Sequence, residues 1–293
     1  MKIEFNTNIL STVMEQNPER AQKVYTRYPK LDSWLELKEK PTLNQLANIA
    51  HLFHIPFGYF FLNEYPEKEF PIPHYRTKTE QPFRPSMELI DTLNIIRERQ
   101  QWARDLLSEI RGEPLEFCKS LNEETPIENA AAKIKNLLNL EKSWADSIPT
   151  WNQALSLLIE KAEHAGIFVV LNGIVGNNTR RKLDVNEFRG FVLYDDYAPF
   201  VFINNNDAIS GKIFTIVHEI VHILIGKSAS FELRQLQPAN NLTEQYCDQV
   251  TAEFLVPALE LRKHIKEKID YQHLAKIFKV SQIVIARRLK DLH

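Results

Sequence analysis

Residues 213–225 are apolar at almost every position, yet the stretch carries His218, Glu219 and His222. A helix that is apolar all round has to be buried. Two imidazoles and a carboxylate buried without partners cost on the order of several kcal/mol, so something must satisfy them. A metal ion does this with few groups. In His218-Glu219-Ile220-Val221-His222 the histidines stand at i and i+4 on one helical face. Both ring nitrogens can then reach a single ion at about 2.0–2.1 Å. Glu219 is rotated by roughly 100° and is placed to meet a water beside that ion. The pattern predicts zinc ligands at His218 and His222, with Glu219 as the catalytic general base. The competing expectation is a chance match, since the chain has 9 histidines and short motifs carry false positives.

A catalytic zinc site needs a third protein ligand and an open position. The extended pattern H-E-x-x-H-x-x-G-x-x-H is absent, because Ile225 stands at its glycine and Ser228 at its last histidine. Downstream, Glu244 and Asp248 are four apart in Glu-Gln-Tyr-Cys-Asp, on one face of a predicted helix. That spacing suits a Glu ligand followed one turn later by an acid that orients a zinc-bound imidazole through its free N–H. Glu244 is the expected third ligand and Asp248 the orienting acid, with Glu232 or His264 as substitutes for Glu244.

Composition narrows the remaining possibilities. The 293 residues include only 8 glycines, and these form neither G-x-G-x-x-G nor G-x-x-x-x-G-K, so no nucleotide is expected. The net charge of −2 gives no general drive toward nucleic acid. Two cysteines are too few for a disulfide framework or a cysteine-only zinc site. No apolar run approaches the roughly 18 residues of a membrane span, and the first residues, Met-Lys-Ile-Glu-Phe-Asn, lack an apolar signal core. A cytoplasmic location without membrane partners is the expectation.

The periodicity predicts an α+β, mostly helical chain. Residues 1–62 read as a small all-helical domain, with Leu43, Leu46, Ile49, Ala50 and Phe53 at helical spacing. Residues 63–112 read as a connector, with Pro66, Pro71, Pro73, Pro82 and Pro85, followed by a long amphipathic linker helix over 86–111. Residues 113–293 form the third part. Helices are predicted near 127–138 and 152–165, the second stopped by Gly166, and short strands at 167–171, 188–194 and 200–203. A hairpin should turn at 195–199. The main helix should start at an Asp207 or Ser210 cap, followed by helices over 243–254 and 257–268 and a terminal helical pair.

With these residues in place, the chain resembles the ImmA/IrrE family of zinc peptidases. The resemblance rests on Phe188-Arg-Gly-Phe191, Ala198-Pro-Phe-Val-Phe-Ile-Asn204, Phe214-Thr-Ile-Val-His-Glu219 and the run from Glu244 to Pro257. Together they cover roughly residues 165–260. Cys247, Asp248 and Val250 depart from the usual Ala, Asn and Phe. Upstream, residues 34–50, Ile55-Pro-Phe-Gly58 and Pro71-Ile-Pro-His-Tyr-Arg-Thr77 resemble part of an XRE-type helix-turn-helix domain and its linker. Residues 28–33, where a recognition helix should lie, offer few side chains able to read bases. DNA binding is therefore weakly supported, and a degenerate copy that grips a protein is favoured. The basic C-terminal pair, Leu274 to Leu289, is read as a solvated face.

The resemblance implies a gluzincin-type metalloendopeptidase that cuts one specific protein, typically an XRE-type repressor, in a stress or mobile-element system. The alternative it implies is an antitoxin or regulatory binding protein paired with a toxin such as a PIN-domain ribonuclease, with or without DNA. The expected cofactor is Zn²⁺. Arg189, Tyr246 and His264 are candidate oxyanion donors. The edge of the strand at 200–204 is expected to take an extended substrate by strand addition.

Overall fold

The computed structural model describes residues 2–66, 85–141, 143–227, 229–231, 242–265 and 269–292. Most of the proline-rich connector, including the 71–77 segment, lies outside them, as does Glu232. The chain divides into two compact units, Met1–Phe70 and Pro71–His293.

The first unit contains α1 (Thr7–Gln16), α2 (Pro18–Arg27), α3 (Leu31–Leu35) and α4 (Leu43–Phe53), then a 3-10 turn over Phe57–Phe61. Helix α4 starts on a capping box: Thr42 Oγ1 accepts from Gln45 N, and Gln45 Oε1 accepts from Thr42 N at 2.8 Å. Leu46, Ile49, Ala50 and Phe53 all face the core of this unit. Leu43, counted in the same stripe, is exposed, because it begins the helix beside the cap.

The second unit opens with α5 (Met87–Arg111), 25 residues long, capped by Ser86 Oγ on Leu89 N and ended by Gly112 at φ 72°. Beyond it lie α6 (Ile127–Leu137), α7 (Trp151–His164), β1 (Phe168–Asn172), β2 (Ile174–Val175), β3 (Asn178–Lys182), β4 (Gly190–Leu193), β5 (Phe200–Asn204) and α8 (Ile209–Ile225). Then come β6 (Ala229–Phe231), α9 (Leu242–Leu255), α10 (Ala258–His264), α11 (Tyr271–Phe278) and α12 (Gln282–Asp291). The fold is α+β and mostly helical, with a four-stranded sheet in the order β1-β5-β4-β6 and a separate β2-β3 hairpin. Among the described residues no helix is long and apolar enough to cross a membrane.

The β4–β5 hairpin turns on Asp195, whose Oδ1 accepts from the backbone N–H groups of Tyr197 and Ala198 at 2.8 and 2.9 Å. Gln100 on α5 donates to the carbonyls of Leu193 and Ala198, fastening the long helix to that hairpin. Strand β5 pairs parallel with β1 and antiparallel with β4. It is an inner strand, so the expected substrate-binding edge at 200–204 does not exist. Both rows of its backbone groups are already paired, and the sheet's edges are β1 and β6. All five β5 residues are buried, as a strand covered on both faces requires.

Helix α8 lies on β4 and β5, flanked by α7 and α9. Its start differs from expectation. Ala208 is the N-cap with no side-chain cap bond, because the Asp207 carboxylate is held by Arg189 Nη1 at 3.0 and 3.2 Å. Ser210 already lies inside the helix. At the other end Gly226, at φ 84°, sends its N–H to the carbonyls of His222 and Ile223. In the terminal pair Arg288 is buried rather than solvated. It ion-pairs with Glu253 and donates through Nε to the Val256 carbonyl at 3.0 Å, tying α12 to α9.

Candidate metal centre

Helix α8 buries Ile213, Ile216, Val217, Ile220, Val221 and Leu224 completely, so its orientation is fixed by core packing on every side. That packing carries His218, Glu219 and His222 inside with it, each at 0 % exposure. Glu244 stands in the first turn of α9, where the helix dipole favours an anion, and is also buried.

These groups meet. His218 Nε2 lies 3.0 Å from Glu244 Oε2, His222 Nε2 lies 3.2 Å from Glu244 Oε1, and the two Nε2 atoms are 3.2 Å apart. A tetrahedral ion with bonds of about 2.0–2.1 Å sets its donors about 3.3 Å apart, close to the spacing of the two imidazoles and of each imidazole from its own oxygen of the Glu244 carboxylate. Behind His218, Asp248 Oδ1 lies 3.1 Å from Nδ1. His218, His222, Glu244 and Asp248 therefore converge. His264 packs edge-on against Phe278 and joins no cluster with the two histidines among the described residues. Glu232 is among the undescribed residues.

Without a cation the cluster is polarised by its own protons. Burial alone pushes His218 down, but the hydrogen bonds to Asp248 and Glu244 outweigh it and raise its pKa to about 10. Burial works against the Glu244 carboxylate, yet hydrogen bonds from His218 and His222 hold it well below the usual range. His222 is lowered, chiefly by burial. The net result is an imidazolium–carboxylate pair where a dication would fit.

Glu219 behaves differently. Among the described residues neither of its oxygens has a hydrogen-bond partner, and burial raises its pKa well above the ordinary value. A carboxyl group kept this way is suited to exchanging a proton with a reacting molecule. Space beside it depends on Gly190, where an added Cβ would meet Thr215 Cγ2 at 2.5 Å, the Phe202 carbonyl oxygen at 2.7 Å and Glu219 Oε1 at 3.6 Å.

Residues 162–290 match the Peptidase M78 family, the IrrE N-terminal-like domain. The matched segment contains all the residues of the centre, and the match supports the ImmA/IrrE resemblance and a peptidase assignment. No curated protein matches the chain.

The matched segment also brings in a residue outside the expected set of ligands. Cys247, fully buried on α9, places Sγ 3.8 Å from His222 Nδ1, and donor atoms of His218, His222 and Cys247 lie within 4.8 Å of one another. This trio is a possible metal-binding group. The trio with Glu244 is tighter and uses the Nε2 atoms that already face each other, so it fits a tetrahedral ion better. The signal for Cys247 in the sequence is its place between Glu244 and Asp248. The candidate oxyanion donors are engaged elsewhere: Arg189 with Asp207, and Tyr246, whose hydroxyl donates to the Thr125 carbonyl at 3.0 Å.

Proposed function

We propose that this protein is a zinc-dependent metalloendopeptidase. One observation supports the reading above all: two imidazole Nε2 atoms and a carboxylate meet within 3.2 Å, in the interior, beside an acid with no hydrogen-bond partner among the described residues. His218, His222 and Glu244 would hold the ion. Zinc bound there supplies Lewis acidity, acidifying water and polarising a peptide carbonyl. Glu219 takes the proton of the attacking water and passes it to the leaving amine. Its raised pKa serves both halves of that transfer. Asp248 accepts from His218 Nδ1 and so keeps the Nε2 lone pair turned inward.

The proposed substrate is a single protein, an XRE-type repressor, whose cleavage lifts repression. The first unit is proposed as the grip for a protein partner. Helix α3 has only five residues, and Leu31 and Trp34 are turned into the core, which leaves little to read base edges. The same observation favours the second reading, a regulatory binding protein such as an antitoxin, in which the metal centre is not needed for protection.

Purified full-length protein, wild type and Glu219→Gln, is mixed with zinc and the repressor encoded beside it, and the products are read by mass spectrometry. Cleavage by the wild type alone is the expected result. Intact repressor with the wild type, or equal cutting by Glu219→Gln, defeats the enzyme reading. Protection against a neighbouring toxin that survives Glu219→Gln favours the antitoxin.

A further inference from the structure

His222 turns its Nδ1 side away from the contacts that its Nε2 makes with His218 and Glu244. In a ligating imidazole the lone pair must sit on the nitrogen that faces the ion, so the proton belongs on the other one. Whatever accepts a hydrogen bond from that N–H fixes both the tautomer and the ring angle. For His218 the acceptor is Asp248. For His222, Nε2 faces His218 and Glu244, while Nδ1 meets Cys247 Sγ, its one hydrogen-bond partner among the described residues. Both Cys247 and His222 are completely buried, so no solvent stands ready to replace the thiol.

We propose that Cys247 is a positioning residue, whose sulfur accepts a hydrogen bond from His222 Nδ1–H and holds Nε2 toward the metal. The proposal rests on the zinc site described above. Helix α9 then carries all three supports in one turn: Glu244 toward both Nε2 atoms, Cys247 behind one ring and Asp248 behind the other. Two other roles for the thiol fit less well. As a ligand it would have to bind an ion shared by the Nε2 atoms, whereas its contact is with Nδ1. As an oxidation-sensitive switch it would need access from solvent, and it has none. A space-filling role predicts that alanine is harmless, but alanine would leave a buried N–H without its acceptor.

The test uses full-length, metal-free protein as wild type, Cys247→Ala and Cys247→Ser. Zinc affinity is measured by competition with a chromophoric chelator, and coordination is followed by the absorption spectrum of the cobalt(II) form. Cys247→Ala is expected to bind zinc about tenfold more weakly, the low end for loss of such a support because sulfur is a weak acceptor. Its cobalt d–d bands should shift as the His222 ring reorients. Cys247→Ser, whose hydroxyl can accept the same bond, should recover affinity to within about threefold of wild type. It also keeps the test open if the alanine variant folds poorly. Wild-type affinity and an unchanged cobalt spectrum in Cys247→Ala would overturn the proposal. So would a sulfur-to-cobalt charge-transfer band in the wild type that the alanine variant loses, since that makes Cys247 a ligand. Failure of the wild type to take up any metal removes the zinc site itself, and is told apart because every variant then behaves alike.

Discussion

Asp248 Oδ1 sits 3.1 Å from Nδ1 of His218, on the opposite side of the ring from Glu244, which meets Nε2 at 3.0 Å. One turn of α9 thus holds both nitrogens of a histidine that belongs to α8. Asp248→Ala removes the carboxylate that sets the tautomer, and zinc affinity is expected to fall about 10–100-fold with helix content unchanged. Chelator competition together with circular dichroism checks this. Undiminished affinity would mean that core packing alone aims the ring.

Proton competition should be visible in the same site. Because the metal-free protein holds His218 at a pKa of about 10, the ring carries a proton at neutral pH that an ion must displace. Metal uptake therefore releases about one proton, and affinity rises about tenfold per pH unit until His218 is deprotonated unaided. Calorimetry at pH 7 in buffers of different ionisation enthalpy measures the release. Heats that do not depend on the buffer would contradict the charge assignment.

Glu219 makes the metal-free protein pH-sensitive in the opposite sense. Its folded-state pKa is raised by burial, while in the unfolded chain it ionises near about 4.3. The stability from this group is complete below the unfolded value. It is lost as pH climbs toward the folded one, by about 1.4 kcal/mol per unit. Glu219→Gln cannot ionise, so between about pH 5 and pH 7 it should lose less stability than wild type in the presence of chelator. Urea denaturation at the two pH values decides it. Parallel losses would show that water or movement relieves the buried acid.

The polar half of the site was legible because helical spacing is local: i and i+4 put His218 with His222, and Glu244 with Asp248, on common faces. That the two faces meet depends on α8 and α9 packing together, which only a buried all-apolar α8 implied. The strands were legible singly, and their order was not. Phe200 to Ile203 is an unbroken apolar run, which fits an inner strand, yet its parallel partner β1 lies more than two dozen residues upstream and nothing within either strand names the other. Strand β6 has three residues, too short for any period. Asp207 reads as a cap by residue type, and only the folded chain brings Arg189 to claim its carboxylate. The role of Cys247 shows only when α9 packs on α8, because its partner His222 lies in the other helix.

Gly190 offers the sharpest structural test of how the active helix is seated. It stands in β4 directly beneath α8, and an added methyl would come within 2.5 Å of Thr215 Cγ2 and 2.7 Å of the Phe202 backbone oxygen. The second of these atoms belongs to the β5 backbone and cannot rotate away, so relief requires β4 to shift against β5, and the Thr215 contact pushes on α8 as well. Overpacking of this kind costs about 1–3 kcal/mol. In a unit of this size that lowers the melting temperature by about 2–4 °C per kcal/mol. Because the displaced helix carries both histidines, Gly190→Ala should also weaken zinc binding. Gly190→Ser should do at least as much harm, since it adds the same Cβ. Thermal melts with and without zinc measure both effects, and an alanine variant indistinguishable from wild type in each would show that the strand and helix have room to spare.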